Sequence, residues 1–364
     1  MKFRCERDVL VDALTTTGRA VSGRGGALPV LSGIRFALED DALVMTGSDL
    51  DLTISVSLTV AGSTDGSAVI PAKLAADIAR ALEPGAVQIE AKDNEAIITA
   101  GRSEFSVHLA PAEEFPHLAG PTGKSVTLNA AEFSEGLRQV VPAASADDSR
   151  PILTGVLLAA EADGLRLVAT DSYRLAVRDL PGASVLEEGQ EVLVPSRALG
   201  ELTRALGDAA EVVLVLGERD ATFDIGATRL TTRLIEGEFP NYTGLIPTSQ
   251  PNRLTVGRTP LIDAMRRVKL LAREATPVRL VMQPDRLELI AITQDVGQAH
   301  EELDAKYEGS DLTVAFNPEY LLDGLEVTPG DEVTLETVDA LKPALIRSAE
   351  AVDFLYLLMP VRVS

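Results

Sequence analysis

Two hydrophobic periods alternate along this chain. Stretches such as "VQIEAKDNEAIITAGRSEFSVHL" alternate apolar and polar residues and break at Gly, Asp or Asn, the pattern of antiparallel strands joined by turns. Between them lie segments with apolar residues three and four apart. "ERDVLVDALTTTGRAV", "NAAEFSEGLRQVV" and "GRTPLIDAMRRVKLLAR" begin near Glu6, Asn129 and Gly257, and "PAKLAADIARALE", "PSRALGELTRALG" and "NPEYLLDGLEV" begin at Pro71, Pro195 and Asn317. In the second set a proline follows a strand-like run and sits near the helix start, where a missing N–H leaves no hydrogen bond unmade. The pattern predicts six helices among many strands.

These elements recur. "VLSGIRFALEDDALVMTGSDLDLTISV" from Val30 is echoed by "ILTGVLLAAEADGLRLVATDSYRLAV" from Ile152. Leu31 and Leu153 are 153 − 31 = 122 residues apart, and so are Asp49 and Asp171 (171 − 49). A third stretch, "PVRLVMQPDRLELIAITQDVGQAHEEL" from Pro277, keeps only the alternation. A unit of this size is too long for a solenoid repeat, and three such units fill 364 residues. The chain therefore reads as three homologous α+β domains, each with two helices packed on antiparallel sheets. They span 1–121, 122–248 and 249–364, with turn-rich boundaries at "GPTGKS" and "PTSQPN".

Charge adds a constraint. The formal net charge is −22, which on average argues against nucleic acid. A negative exterior with a locally positive surface gives the same sum, so the average does not decide. No apolar run approaches the ~20 residues that cross a bilayer. The charged start "MKFRCERDVL" lacks the apolar segment of a signal peptide, and Cys5 is alone, so a reducing cytoplasm is expected.

Candidate chemistry is sparse. "PTGKS" lacks the glycine five positions before Gly123, where Leu118 stands, and a strand rather than a helix follows it. "SGRGGALP" follows a helix and precedes a strand, the reverse of a dinucleotide loop, and reads as a flexible loop or a mobile finger carrying Arg24. His108, His117 and His300 have no metal-ligand spacing. No catalytic constellation, cofactor or metal is expected.

"RPILTGVLL" (150–158), "VATDSYRLAV" (168–177), "EGEFPNY" (236–242) and the terminal "YLLMPVRV" resemble the bacterial sliding clamp, the beta subunit of DNA polymerase III, in order and over the whole length. The resemblance implies a processivity factor of DNA replication. Two subunits would form a head-to-tail homodimeric ring around duplex DNA, opened by a separate ATP-driven clamp loader. The ring would tether the polymerase III alpha subunit and other proteins with short clamp-binding motifs, in the cytoplasm at the nucleoid. It would catalyse no reaction itself.

Cations at seven-residue spacing fit a DNA-facing lining: Lys73 and Arg80, Arg197 and Arg204, Arg266 and Arg273. Seven residues bring a helix back to nearly the same face. Apolar faces stand opposite (Leu74, Ile78, Leu82; Leu199, Leu202, Leu206; Leu261, Met265, Val268). Arg24, Lys73, Arg80, Arg138, Arg150, Arg197, Arg204 and Arg266 are the expected phosphate contacts. The resemblance implies that domain one meets domain three of the second subunit, with Phe105 and Val107 opposite Leu270 and Leu271.

It also implies a partner groove on domains two and three. Leu153, Thr170, Ser172, Tyr173, Leu175, Pro240, Gly244, Leu245, Leu341, Pro343, Leu357, Met359, Pro360 and Val361 would line it, with Arg174 and Arg362 as polar edges. Phe354 to Leu358 is expected to be a strand that Pro360 ends, since proline has no N–H for a ladder. Two departures bear on partners: Ser172-Tyr173 stands where many clamps carry Gly-His, and Gly244 where some carry Arg. They permit a narrower reading, a specialised second clamp tolerating a clamp-directed inhibitor. The rival from another class is a peptide-binding adaptor that does not encircle DNA.

Overall fold

The computed structural model describes residues 1–21, 28–116, 120–183, 186–187, 189–272, 276–348, 350 and 353–362. Its helices are α1 (Arg7–Gly18), α2 (Ala72–Ala81), α3 (Ala130–Val140), α4 (Ser196–Leu206), α5 (Arg258–Lys269) and α6 (Pro318–Val327). Each begins one residue after the start expected from the sequence. At α6 the reason is explicit: the Asn317 side chain accepts hydrogen bonds from the N–H groups of Glu319 and Tyr320, at 2.9 and 3.4 Å.

The chain folds as two compact units, Met1–Ala131 with Arg197–Leu234, and Glu132–Ser196 with Ile235–Ser364. In the first, a five-stranded antiparallel sheet contains Lys2–Glu6 and the meander Ala86–Lys92, Glu95–Ala100 and Ser103–His108. An eight-stranded sheet runs in the order Lys124–Asn129, Glu211–Leu216, Asp220–Ile225, Thr228–Arg233, Leu52–Thr59, Ala42–Ser48, Gly33–Glu39, Gly66–Pro71. Leu10 and Leu14 of α1 and Ile78 of α2 pack with Phe3, Phe36, Met45 and Ile98 in one core.

Two expectations change here. Val107 lies in that core at 4% exposure, because alternation turns its side chain inward, so the side chain belongs to the core of this chain rather than to its apolar surface. Leu74, assigned to the buried face of α2, is 47% exposed; Ala75, Ala76 and Ala79 fill that face beside Ile78 and let the sheet approach closely.

The second unit holds one twelve-stranded antiparallel sheet. Its strand Arg174–Pro181 pairs with the C-terminal strand Phe354–Leu358, as Leu52–Thr59 pairs with Thr228–Arg233 in the first unit. The 122-residue offset survives at residue level. Strands Gly33–Glu39, Ala42–Ser48 and Leu52–Thr59 correspond to Gly155–Glu161, Gly164–Thr170 and Arg174–Pro181. Leu50 and Ser172 both take the left-handed conformation in the equivalent turn, at φ 79° and 80°. Among the described residues no helix is long and apolar enough to cross a membrane.

Candidate partner groove and basic helix faces

The C-terminal strand is central in its sheet, flanked by Arg174–Pro181 and Ala344–Ser348. Cross-strand partners share a face, so the register aligns Thr170, Leu175, Leu357 and Leu345 in one row and Leu157, Val168, Val177 and Leu355 in the next. These rows form an apolar floor, over which Ile152, Ile235, Phe239, Tyr242 and Ile246 pack. Leu153, Thr170, Leu175 and Leu357 are all buried there.

Alternation sends Arg174 and Tyr356 to the opposite face, against α6. The Arg174 guanidinium pairs with Asp171 at 3.0 Å and with Asp323, and lies 4.3 Å from the Tyr320 ring centroid. The Tyr356 hydroxyl donates to the Tyr320 carbonyl at 2.8 Å. Burial alone would lower the Arg174 pKa, but the paired carboxylates of Asp323 and Asp171 outweigh it and hold the guanidinium charged. Burial raises the Tyr356 pKa and keeps the phenol neutral. Arg174 thus departs from the polar-edge role. Its side chain is 10% exposed and braces the sheet to α6 from below.

The rim is apolar and open. Tyr173, Leu245 and Leu341 are 57%, 52% and 60% exposed, and Met359, Val361, Pro240, Gly244, Ser172 and Arg362 are exposed as well. Leu358 lies between Arg174 and Ala344, so the next step of the register brings Met359 to Tyr173 and Pro343. The Met359 N–H indeed donates to the Tyr173 carbonyl at 2.8 Å. Pro360 ends that ladder, and Val361 donates instead to the Ala315 carbonyl at 2.8 Å. The turn bearing Ser172 is held by Asp171, whose Oδ1 accepts from the N–H groups of Tyr173 and Arg174 at 2.9 and 3.0 Å.

Asp171, Tyr320 and Asp323 carry no role in the sequence reading. Tyr320 and Asp323 are three apart on one helix, hence on one face, but nothing local tells which face meets Arg174. Phe239 and Tyr242 were visible only as part of "EGEFPNY".

Four of the eight expected DNA-facing cations share a feature. Arg80, Arg138, Arg204 and Arg266 each have a carboxylate three residues earlier on the same helix: Asp77, Glu135, Glu201 and Asp263. Arg197 pairs with Asp49 at 2.6 Å, and Lys73 is exposed without an ion-pair partner among the described residues. Arg150 is half-buried, bonded to Asp147, the Asp171 carbonyl and Ser172, so it fixes its own loop at the groove rim. Arg24 and Arg273 lie outside the described residues.

Leu270 is 82% exposed and Phe105 38%, while Leu271 is half-buried. Among the described residues no cluster of His, Cys, Asp and Glu could hold a metal. Burial, with help from Glu6, pushes the Cys5 thiol up to about 11, far from a reactive thiolate.

A sheet with an exposed apolar rim, together with helices carrying cations outward, defines a binding protein built from repeated α+β units. Family profiles for the N-terminal, central and C-terminal domains of the DNA polymerase III beta subunit match residues 1–119, 127–241 and 243–362. The beta sliding clamp of Streptomyces coelicolor A3(2) is 36% identical over 381 residues, covering all of both chains. The sliding clamp of Bacillus subtilis superposes with a TM-score of 0.93 at 31% identity, and a Bartonella birtlesii clamp bound to griselimycin with 0.94 at 31%, each covering all of both chains. The chain belongs to the DNA polymerase III beta subunit family: it is a DNA sliding clamp of replication, with no catalytic activity of its own. Clamps of this family encircle DNA and bind polymerase and other factors.

Proposed function

We propose that two copies close head to tail into a ring around duplex DNA in the cytoplasm, with clamp domains over 1–121, 122–248 and 249–364. A clamp loader opens the ring, and the rim around the C-terminal strand holds short motifs of the polymerase III alpha subunit and other partners. One observation carries the partner reading: Tyr173, Leu245, Leu341 and Met359 remain exposed above a floor that is apolar apart from Thr170. Such a surface suits one or two buried Leu or Phe anchors, and the flexible Met359 thioether adapts to several.

Deleting residues 359–364 tests it. The deletion removes Met359 and two main-chain bonds from beyond the strand end, leaving the ladder of Phe354–Leu358 intact. Peptides from the polymerase alpha subunit should lose binding at least tenfold in fluorescence anisotropy, while circular dichroism and native mass stay unchanged. Unaltered binding by the truncated chain would overturn the assignment of the tail to the groove.

A further inference from the structure

We propose that Met359 is a reversible oxidation site: conversion of its thioether to the sulfoxide closes the partner groove to apolar motifs, and reduction reopens it. The inference rests on the groove assigned above to polymerase motifs and adds its regulation. The chain holds five methionines and one cysteine. Met45, Met265 and Met282 are fully buried, and Met1 and Cys5 are half-buried. Met359, at 37% exposure, is the most exposed of the six. Thiols are oxidised through the thiolate, and the Cys5 thiol, pushed up to about 11 by burial, holds little of it. An oxidant in solution therefore meets Met359 first.

Its place makes that exposure consequential. Alternation along the C-terminal strand puts Met359 on the groove face with Leu355 and Leu357, which belong to the floor. The register step after Leu358 sets Met359 between Tyr173 and Pro343, and its N–H holds the Tyr173 carbonyl at 2.8 Å. It is thus the middle of the exposed row next to Leu175, Leu357 and Leu345. A thioether is only a weak acceptor, so an apolar anchor covers it without leaving a polar group dry. A sulfoxide oxygen is a strong one. Water satisfies it while the groove is open, but a Leu or Phe anchor displaces that water, and neither the anchor, Pro343 nor Leu357 has a side-chain donor to replace it. The fold does not depend on this side chain, because Met359 lies past the ladder of Phe354–Leu358 and faces solvent.

The oxidant is a peroxide. A sulfur lone pair attacks one peroxide oxygen, the S–O bond forms and the O–O bond breaks. The second oxygen leaves as hydroxide and takes the proton of the transferred one to become water. Sulfur loses the two electrons that the peroxide gains. Methionine sulfoxide reductases, one for each sulfoxide epimer, run the return step: two thiols supply two electrons and become a disulfide, and the oxygen leaves as water. An exposed residue beyond a strand end is accessible to such enzymes.

The test treats the full chain with graded hydrogen peroxide, maps the added oxygen by mass spectrometry, and measures anisotropy of a labelled polymerase alpha peptide. Met359 should gain its oxygen before any other sulfur. Affinity should fall about tenfold or more in step with it, since a polar group is left unpaired under the anchor. Both reductases with dithiothreitol should restore it. These readings use the unaltered chain and hold whatever Met359→Leu does to binding. That variant, compared with its own untreated affinity, should change less than about twofold on oxidation, because it has no thioether at the site. Earlier oxidation of another sulfur, unchanged affinity with Met359 oxidised, a loss that the reductases cannot reverse, or an equal loss in Met359→Leu would each overturn the switch and leave the groove standing. An untreated chain that binds no peptide would overturn the groove, and this inference with it.

Discussion

Arg174 and Leu175 are neighbours in the chain and face opposite sides of one sheet. Leu175 is floor beneath the groove, while Arg174 holds α6 through Asp323 and closes the Ser172 turn through Asp171. Alternation in "TDSYRLAV" already separates the two residues, but it cannot say which side carries a helix. Because the pair is nearly buried, Arg174→Ala leaves Asp171 uncompensated, and breaking such a pair costs about 3–5 kcal/mol. Urea denaturation should show this loss. Arg229→Ala, on an exposed pair with Asp224, should change the same midpoint by less than about 1 kcal/mol. Similar small effects from both variants would remove Arg174 from its bracing role.

At the level of elements, α6 and the C-terminal strand form the support of the groove. They meet at Gly324, where an added Cβ would come within 2.5 Å of the Tyr356 ring. Gly324→Ala gains about 1 kcal/mol in helix propensity, but overpacking typically costs about 1–3 kcal/mol. Tyr356 is buried and tied to the Tyr320 carbonyl, so it cannot swing away cheaply, and the clash should win. A lowered melting temperature, with weaker binding of polymerase peptides as the strand shifts, is the expected outcome. A stabilised variant would mean that α6 simply rises off the ring. The helices α2, α3, α4 and α5 show a second device, an acid three residues before one arginine on each: Arg80, Arg138, Arg204 and Arg266. The exposed pairs of Arg80 with Asp77 and Arg266 with Asp263 are worth about 0–1 kcal/mol, so in the proposed ring a phosphate would take either arginine from that carboxylate at small cost. That favours weak, exchanging contacts suited to sliding.

On the scale of the whole molecule, the proposed ring predicts a native mass of about twice 38.6 kDa. Among the described residues Leu270 is the most exposed of the large apolar side chains and the natural place to break it. Burying such surface contributes about 25 cal/mol per Å², and a charge placed there would be desolvated. Leu270→Asp should therefore give monomers in light scattering at micromolar concentration, with an unchanged circular dichroism spectrum. A dimer that survives would remove this residue from the interface. For DNA, reversing Lys73, Arg80, Arg197 and Arg204 to Glu should shorten retention on circular duplex after loading, because contacts to phosphate are electrostatic and independent of sequence. Equal retention would show that these faces do not meet the duplex.

Local rules settle a good part of this protein from its sequence. Prolines and asparagine at strand-to-helix junctions mark helix starts to within one residue, the 122-residue echo carries the strands with it, and Pro360 ends the last ladder by lacking a donor. All three depend on neighbours along the chain. What faces what does not. Val107 and Leu74 have the same apolar character as true interface and core residues, yet the core takes one and leaves the other in solvent. Asp323 and Tyr320 reach Arg174 from 146 or more residues away, so only the packed fold brings them together. The hydroxyls of Thr46, Ser55, Thr53 and Thr231 look like scattered surface polarity in sequence, and become cross-strand rows only when distant strands pair in register. Periodicity specifies the faces of an element; which face is buried, and against what, is decided by long-range packing.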